Sequence, residues 1–177
     1  MRPLTTDRLA AFNELVEEHQ AAVYNLCRRM LGDASAAEDA TQETFFAAYR
    51  ALKTFRGGAF RGWLFRIASN QCYDQLRRRQ RHRTEALPDE PLVLDPLPGP
   101  DQLALGAELA AALGKAIGQL PPEQRLCVLL IDVQGLDYDE AAQAMDVNLG
   151  TLKSRLSRAR AQLRELLPAE FRPKSGG

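Results

Sequence analysis

The sequence predicts an all-α chain of two small helical domains joined by a Pro-rich linker, and three observations predict it. Apolar residues recur at spacings of three and four over long stretches, the stripe of an amphipathic helix. No stretch alternates with period two for long enough to make a strand. Five prolines fall between positions 87 and 100, LPDEPLVLDPLPGP, a run that cannot continue a helix. The linker is therefore read as residues 87–108, between an N-terminal module at 1–86 and a C-terminal module at 109–168, with 169–177 as a disordered tail. Each module is below about 100 residues and needs tightly packed helices to form a core of its own.

From Arg8 to Leu31 the apolar stripe carries Leu9, Phe12, Leu15, Val16, Val23, Leu26, Cys27 and Met30, and Gly32 ends it. Ser35 followed by Glu38 predicts a capping box at the start of a second helix, which runs to about Thr54. Arg56-Gly57-Gly58-Ala59 is too flexible for a helix interior. A third long pattern follows with Trp63, Leu64, Ile67, Ala68 and Leu76, in which Trp63 is read as packing rather than as a stacking platform.

The most informative segment is 137–167, DYDEAAQAMDVNLGTLKSRLSRARAQLRELL. Asp137 with Glu140 can cap one helix, Ala141, Ala142 and Ala144 allow close helix approach, Asp146-Val147 turns the chain, and Asn148 can cap a second helix. Aspartate at position 146 tolerates the left-handed conformation that such a turn requires. In the second helix Leu152, Leu156, Ala159 and Leu163 share a packing face, while Thr151, Lys153, Ser154, Arg155, Arg158 and Arg160 occupy the remainder. That is the layout of a helix-turn-helix whose second helix enters the DNA major groove, where Arg and Lys donate to base edges and Ser or Thr reach bases or phosphates.

The charge distribution agrees. The net charge is zero, but residues 1–86 hold 14 basic and 10 acidic side chains, residues 87–108 hold 5 acidic and no basic ones, and residues 109–177 hold 9 and 8. Basic residues gather at 77–83 and 153–164, the local pattern that meets phosphates. At 45% apolar and 26% charged residues the composition is that of a globular protein. No window offers the roughly 20 apolar residues of a membrane span, and the first residues lack a secretory pattern, so the cytoplasm is the expected compartment, with no direct membrane insertion. Cys27, Cys72 and Cys127 are spaced for neither a metal site nor a disulfide framework and are read as core. There is no P-loop, HExxH or GxSxG, and of the two histidines His19 is read as structural, so no catalytic residue, cofactor or metal is expected.

The segments 120–125 (LPPEQR), 135–142 (GLDYDEAA) and 150–160 (GTLKSRLSRAR) closely resemble region four of extracytoplasmic-function (ECF) sigma factors. Independently, 37–45 (AEDATQETF) and 60–70 (FRGWLFRIASN) resemble regions two-point-two to two-point-four. The resemblance implies a transcription initiation factor that binds core RNA polymerase and gives it promoter specificity, in a stress or environmental response. Asp39, Gln42 and Glu43, at i, i+3 and i+4 on one helical face, would dock on the beta-prime clamp helices, and region four would meet the beta flap. The loop bearing Arg56 and Phe60, with Asn70, would hold the single-stranded minus-ten element, and Arg77 and Arg78 would hold its phosphates. Thr151, Lys153, Ser154, Arg155 and Arg158 would read the minus-thirty-five element. An anti-sigma factor, able to hold the chain at a membrane, is a further implied partner beside promoter DNA. Two other classes remain: a stand-alone helix-turn-helix repressor or activator, which leaves the N-terminal matches unexplained, and a recombinase, for which no nucleophile can be assembled.

Overall fold

The structure, a computed structural model, describes residues 4–83 and 104–174, with side chains from Asp7 and from Gly106 onward. The prolines of the linker lie outside the described residues. The described residues form seven α-helices and no strand: α1 (Leu4–Leu31), α2 (Ala34–Ala51), α3 (Phe60–Arg83), α4 (Ala104–Gln119), α5 (Pro122–Val128), α6 (Tyr138–Met145) and α7 (Leu149–Leu166). A 3-10 turn at Leu52–Thr54 extends α2, and a π-helical turn at Leu129–Val133 extends α5.

Helix ends follow local chemistry, with one correction. Gly32 leaves α1 at φ +70°, a conformation open to a residue without Cβ. Asp33 then sits extended before α2, and its Oδ2 accepts from Ala36 N at 3.1 Å. The cap is thus Asp33, not the Ser35–Glu38 box, because the turn at Gly32 puts Ser35 already inside the first helical turn. The predicted box at Asp137 is present: Asp137 N donates to Glu140 Oε2 at 3.0 Å and Glu140 N donates to Asp137 Oδ1 at 2.8 Å. Asn148 caps α7, its Oδ1 accepting from Thr151 N at 2.8 Å. Asp146 occupies the left-handed region at φ 54°, ψ 46°.

Two boundaries also differ from the sequence reading. α4 begins at Ala104, inside the segment read as linker. The start of the tail is ordered: Ala169–Phe171 forms a 3-10 turn, and Arg172 donates to the carbonyls of Leu167 and Glu165 at 2.9 Å each, satisfying the C-terminus of α7. Leu9, predicted on the buried stripe, is 47% exposed, because it lines an open groove between α1 and α2 rather than the closed core.

Helices α1, α2 and α3 pack on one another, and α4, α5 and α6 gather on α7. The sequence predicts a separate core for each group, whereas the structure has one. Leu26 and Phe65 of the first group join Leu129, Ala141 and Leu156 of the second in a single apolar cluster. The reason is a close crossing of α3 on α6. A Cβ placed on Gly62 would lie 3.2 Å from Glu140 O and 3.4 Å from Glu140 Cα, so the missing side chain lets the two backbones approach. Main-chain carbonyls complete the seam: Arg125 Nη1 donates to Met30 O at 2.6 Å, Gln134 Nε2 to Ala22 O at 3.2 Å, and Arg61 to Gln134 O.

All three cysteines are free and buried, as their apolar setting predicts. The Cys72 thiol is pushed up, first by its hydrogen bond to Cys27 and then by burial.

The capping assignment has a direct check. Asp33→Ala should lower stability in urea unfolding by about 1 kcal/mol, whereas Ser35→Ala should stay within about 0.5 kcal/mol of the parent chain.

Candidate nucleic-acid and partner interfaces

α7 divides into two faces. Leu152, Leu156, Ala159 and Leu163 are buried, and Lys153, Ser154 and Arg158 are exposed, as the periodicity predicts. Thr151 and Arg155 are half-buried at the rim of a cleft between the start of α5 and the start of α7, lined also by Glu123, Asn148 and Gly150. Arg155 Nη2 lies 3.5 Å from Glu123 Oε2, and Arg158 Nη2 donates to Ser154 Oγ at 2.6 Å. Lys153 Nζ stands 5.9 Å from the centre of the Tyr138 ring. Neither Lys153 nor Arg158 is paired with a carboxylate in these contacts. Arg160 is different: it makes a two-pronged pair with Asp132, at 2.6 and 3.2 Å, and ties α7 to the π turn.

On α3, Asn70, Arg77 and Arg78 are exposed, and Arg77 donates to Asp74 one turn back. Arg79, third in the same basic run, points elsewhere. Its Nη1 donates to Leu31 O at 2.6 Å and its Nη2 lies 3.5 Å from Asp33, so it caps the end of α1. The loop before α3 carries Gly57 and Gly58 at φ +90° and +94°, with Arg56 exposed beside them. Phe60 is half-buried in an aromatic group with Phe55, Trp63 and His19, at centroid distances of 5.2–5.6 Å. Trp63 and His19 are thus packing residues, and the loop leaves from a stiff aromatic base.

Asp39, Gln42 and Glu43 are all exposed on α2. They line one polar cleft with Gln71, Asp74 and Arg78 of α3, so the residues read as partner-binding and one residue read as DNA-binding meet in a single place. Adjoining that cleft along Asp39 and Gln42 runs an apolar groove between α2 and α1, lined by Leu9, Phe12, Val16, Phe45, Phe46 and Tyr49. Phe46 is 59% exposed there, and Phe12 and Tyr49 meet edge to face at 5.1 Å. The sequence reading missed this groove, although Gln42, Phe45, Phe46 and Tyr49 share the i, i+3, i+4, i+7 spacing of one helical face.

The family description Sigma-70 region 2 matches residues 15–82, and Sigma-70, region 4 matches residues 110–163. The ECF RNA polymerase sigma factor SigM of Mycobacterium tuberculosis is 37% identical over 158 residues, 89% of this chain and 77% of that protein. The chain belongs to the ECF RNA polymerase sigma factors. The ECF RNA polymerase sigma factor SigE of Mycolicibacterium smegmatis is 42% identical over 160 residues, 90% of this chain, which spans 62% of that relative's length. Among solved structures, the sigma factor RpoE in complex with the anti-sigma factor NepR from Bartonella quintana superposes with a TM-score of 0.74 at 30% identity, over 88% of this chain and 96% of that one. The α2 face, the loop and α3 thus fall in sigma region 2, and the helix-turn-helix falls in sigma region 4.

Between the two sigma regions stands Tyr73 of α3. Burial, and next the Glu123 carboxylate of region 4, push its phenol up to about 12, while Arg155 acts against them. The folded chain therefore keeps a proton that the unfolded chain releases from its ordinary value of 10.0 upward, and stability falls as pH rises from 10 to about 12. Chemical unfolding across that range should show a shallower fall for Tyr73→Phe than for the parent chain.

Proposed function

We propose that this chain binds core RNA polymerase and directs promoter-specific initiation as a non-catalytic factor. The observation that carries the reading is the coexistence of a region 2 module and a region 4 helix-turn-helix in one chain, with an exposed acidic α2 face on the first and exposed basic side chains on α7 of the second. A stand-alone repressor or activator has no use for the first module.

In this reading the face of Asp39, Gln42 and Glu43 receives the basic and polar groups of the beta-prime clamp helices, and region 4 meets the beta flap. The loop with Arg56 and Phe60, and Asn70 on α3, capture unpaired bases of the minus-ten element. Asn70 offers both a donor and an acceptor to a base edge. Arg77 and Arg78 hold the strand's phosphates, adding affinity that salt weakens. Capture of flipped bases offsets an unstacking cost of a few kcal/mol, so opening the promoter needs no nucleotide hydrolysis. Thr151, Lys153, Ser154, Arg155 and Arg158 read the minus-thirty-five element in the major groove.

The similar RpoE chain is held by the anti-sigma factor NepR, and CnrH, 28% identical with a TM-score of 0.65, is in complex with the cytosolic domain of CnrY. These complexes support an anti-sigma factor as a partner of this chain. No helix among the described residues is long and apolar enough to cross a membrane, and the polymerase reading puts the site of action in the cytoplasm, on the nucleoid.

Run-off transcription with purified core polymerase tests the reading. The chain should form a stable holoenzyme and start transcription at defined promoters; binding duplex DNA tightly alone while leaving polymerase unaffected would contradict it. Asp39→Ala should weaken assembly on every promoter. Arg155→Ala should leave assembly unchanged and cost about 1–3 kcal/mol, roughly 5- to 150-fold, at promoters that depend on the upstream element.

A further inference from the structure

We propose that Glu123 is a specificity-determining residue of the DNA-reading surface: its carboxylate holds Arg155 off the phosphate backbone, so that this arginine is kept for a base edge. The inference rests on the reading of α7 as the helix that meets the minus-thirty-five element, and deepens it by naming how one side chain chooses its target. The contacts of four basic side chains on α7 differ in kind. Lys153 faces the Tyr138 ring and Arg158 donates to Ser154 Oγ, contacts that leave both charges uncompensated. Arg160 is locked by two bonds to Asp132, at 2.6 and 3.2 Å. Arg155 lies between these cases. Its Nη2 is 3.5 Å from Glu123 Oε2, longer than a hydrogen bond of about 2.7–3.2 Å, so charge rather than a bond holds the pair.

The setting of the pair fits a positioning role. The Arg155 side chain is only 25% exposed, against the wall of the cleft between α5 and α7, which limits the directions its guanidinium can take. Glu123 stands 61% exposed in the first turn of α5, just after Pro121 and Pro122. That helix is anchored by the buried Leu126, Cys127 and Val128 and packs on α7, so a stiff element carries the carboxylate. A guanidinium has five N–H donors, and a carboxylate beside one nitrogen leaves others to donate to O6 and N7 of a guanine. Phosphates are a different target. Each cation that neutralises a phosphate adds affinity without regard to sequence. An arginine already compensated by a carboxylate gains little there, and the backbone repels the carboxylate itself. At a wrong base pair Arg155 therefore has no second-best contact, and the mismatch keeps its full cost.

Promoter discrimination by the holoenzyme tests this. Each base pair of the minus-thirty-five element is varied in turn, and run-off transcription is compared for the parent, Glu123→Gln, Arg155→Ala and the double variant. Glu123 is exposed, so glutamine preserves the fold and size and removes only the charge. At the base pair where Arg155→Ala abolishes discrimination, Glu123→Gln should lower it roughly three- to tenfold by raising transcription from mismatched promoters. The salt dependence of initiation at those promoters should steepen by about one counterion. In the double variant Glu123→Gln should add nothing to Arg155→Ala. Discrimination that is unchanged in Glu123→Gln, lowered at every base pair alike, or lowered as much without Arg155 as with it would overturn the proposal. The last result is also what a glutamate reading a base by itself would give. In the free full chain, NMR relaxation of the Arg155 Nε–H should show faster motion in Glu123→Gln than in the parent, and an equally ordered side chain refutes the positioning role. A parent holoenzyme that starts at no promoter sinks the sigma-factor reading instead, while the relaxation still decides whether Glu123 holds Arg155.

Discussion

At Gly62 a helix has no side chain where another helix crosses it, and the relation between the two halves of the molecule depends on that gap. A Cβ there would press on the backbone of Glu140, 3.2 Å from its carbonyl oxygen, tighter than ordinary van der Waals contact. Apolar side chains on both sides, Phe65 and Leu26 from one half and Leu129 and Ala141 from the other, then merge into one core. Such a contact is steeply sensitive to size, because interiors packed to crystal density do not yield smoothly.

The surfaces left exposed by that packing are of different chemical kinds. The acidic and polar cleft of Asp39, Gln42 and Glu43 suits a partner bringing basic groups, and the exposed Lys153 and Arg158 suit a polyanion. The α1–α2 groove, with Phe46 and Tyr49 exposed, adjoins the acidic face, and apolar area beside charge is the composition expected of a protein contact. The exposed surfaces thus differ in charge and polarity from one part of the chain to another. Arg78 of α3 brings a basic group to the acidic cleft.

What was legible in the sequence was local. The helix-turn-helix could be read from Asp137, Glu140, Asp146 and Asn148 because each acts on backbone within four residues of itself. The buried face of α7 followed from its period. The rest depended on distant segments. Arg77, Arg78 and Arg79 look alike in sequence, yet each turns about 100° from the last around the helix, and only Arg79 points to the end of α1. Ser35 has the chemistry of a cap, but the turn at Gly32 gives that place to Asp33. The seam could not be read at all, since Gly62 gains its meaning only from a helix on the far side of the linker.

The central proposal is that one polypeptide carries two modules that work together on polymerase at one promoter. Site-specific crosslinking to promoter DNA from Asn70 on α3 and Lys153 on α7, both exposed, in a complex with core polymerase measures that directly. Asn70 should reach the minus-ten element and Lys153 the minus-thirty-five element of the same promoter. Crosslinks from neither residue in a complex that is actively transcribing would contradict the account.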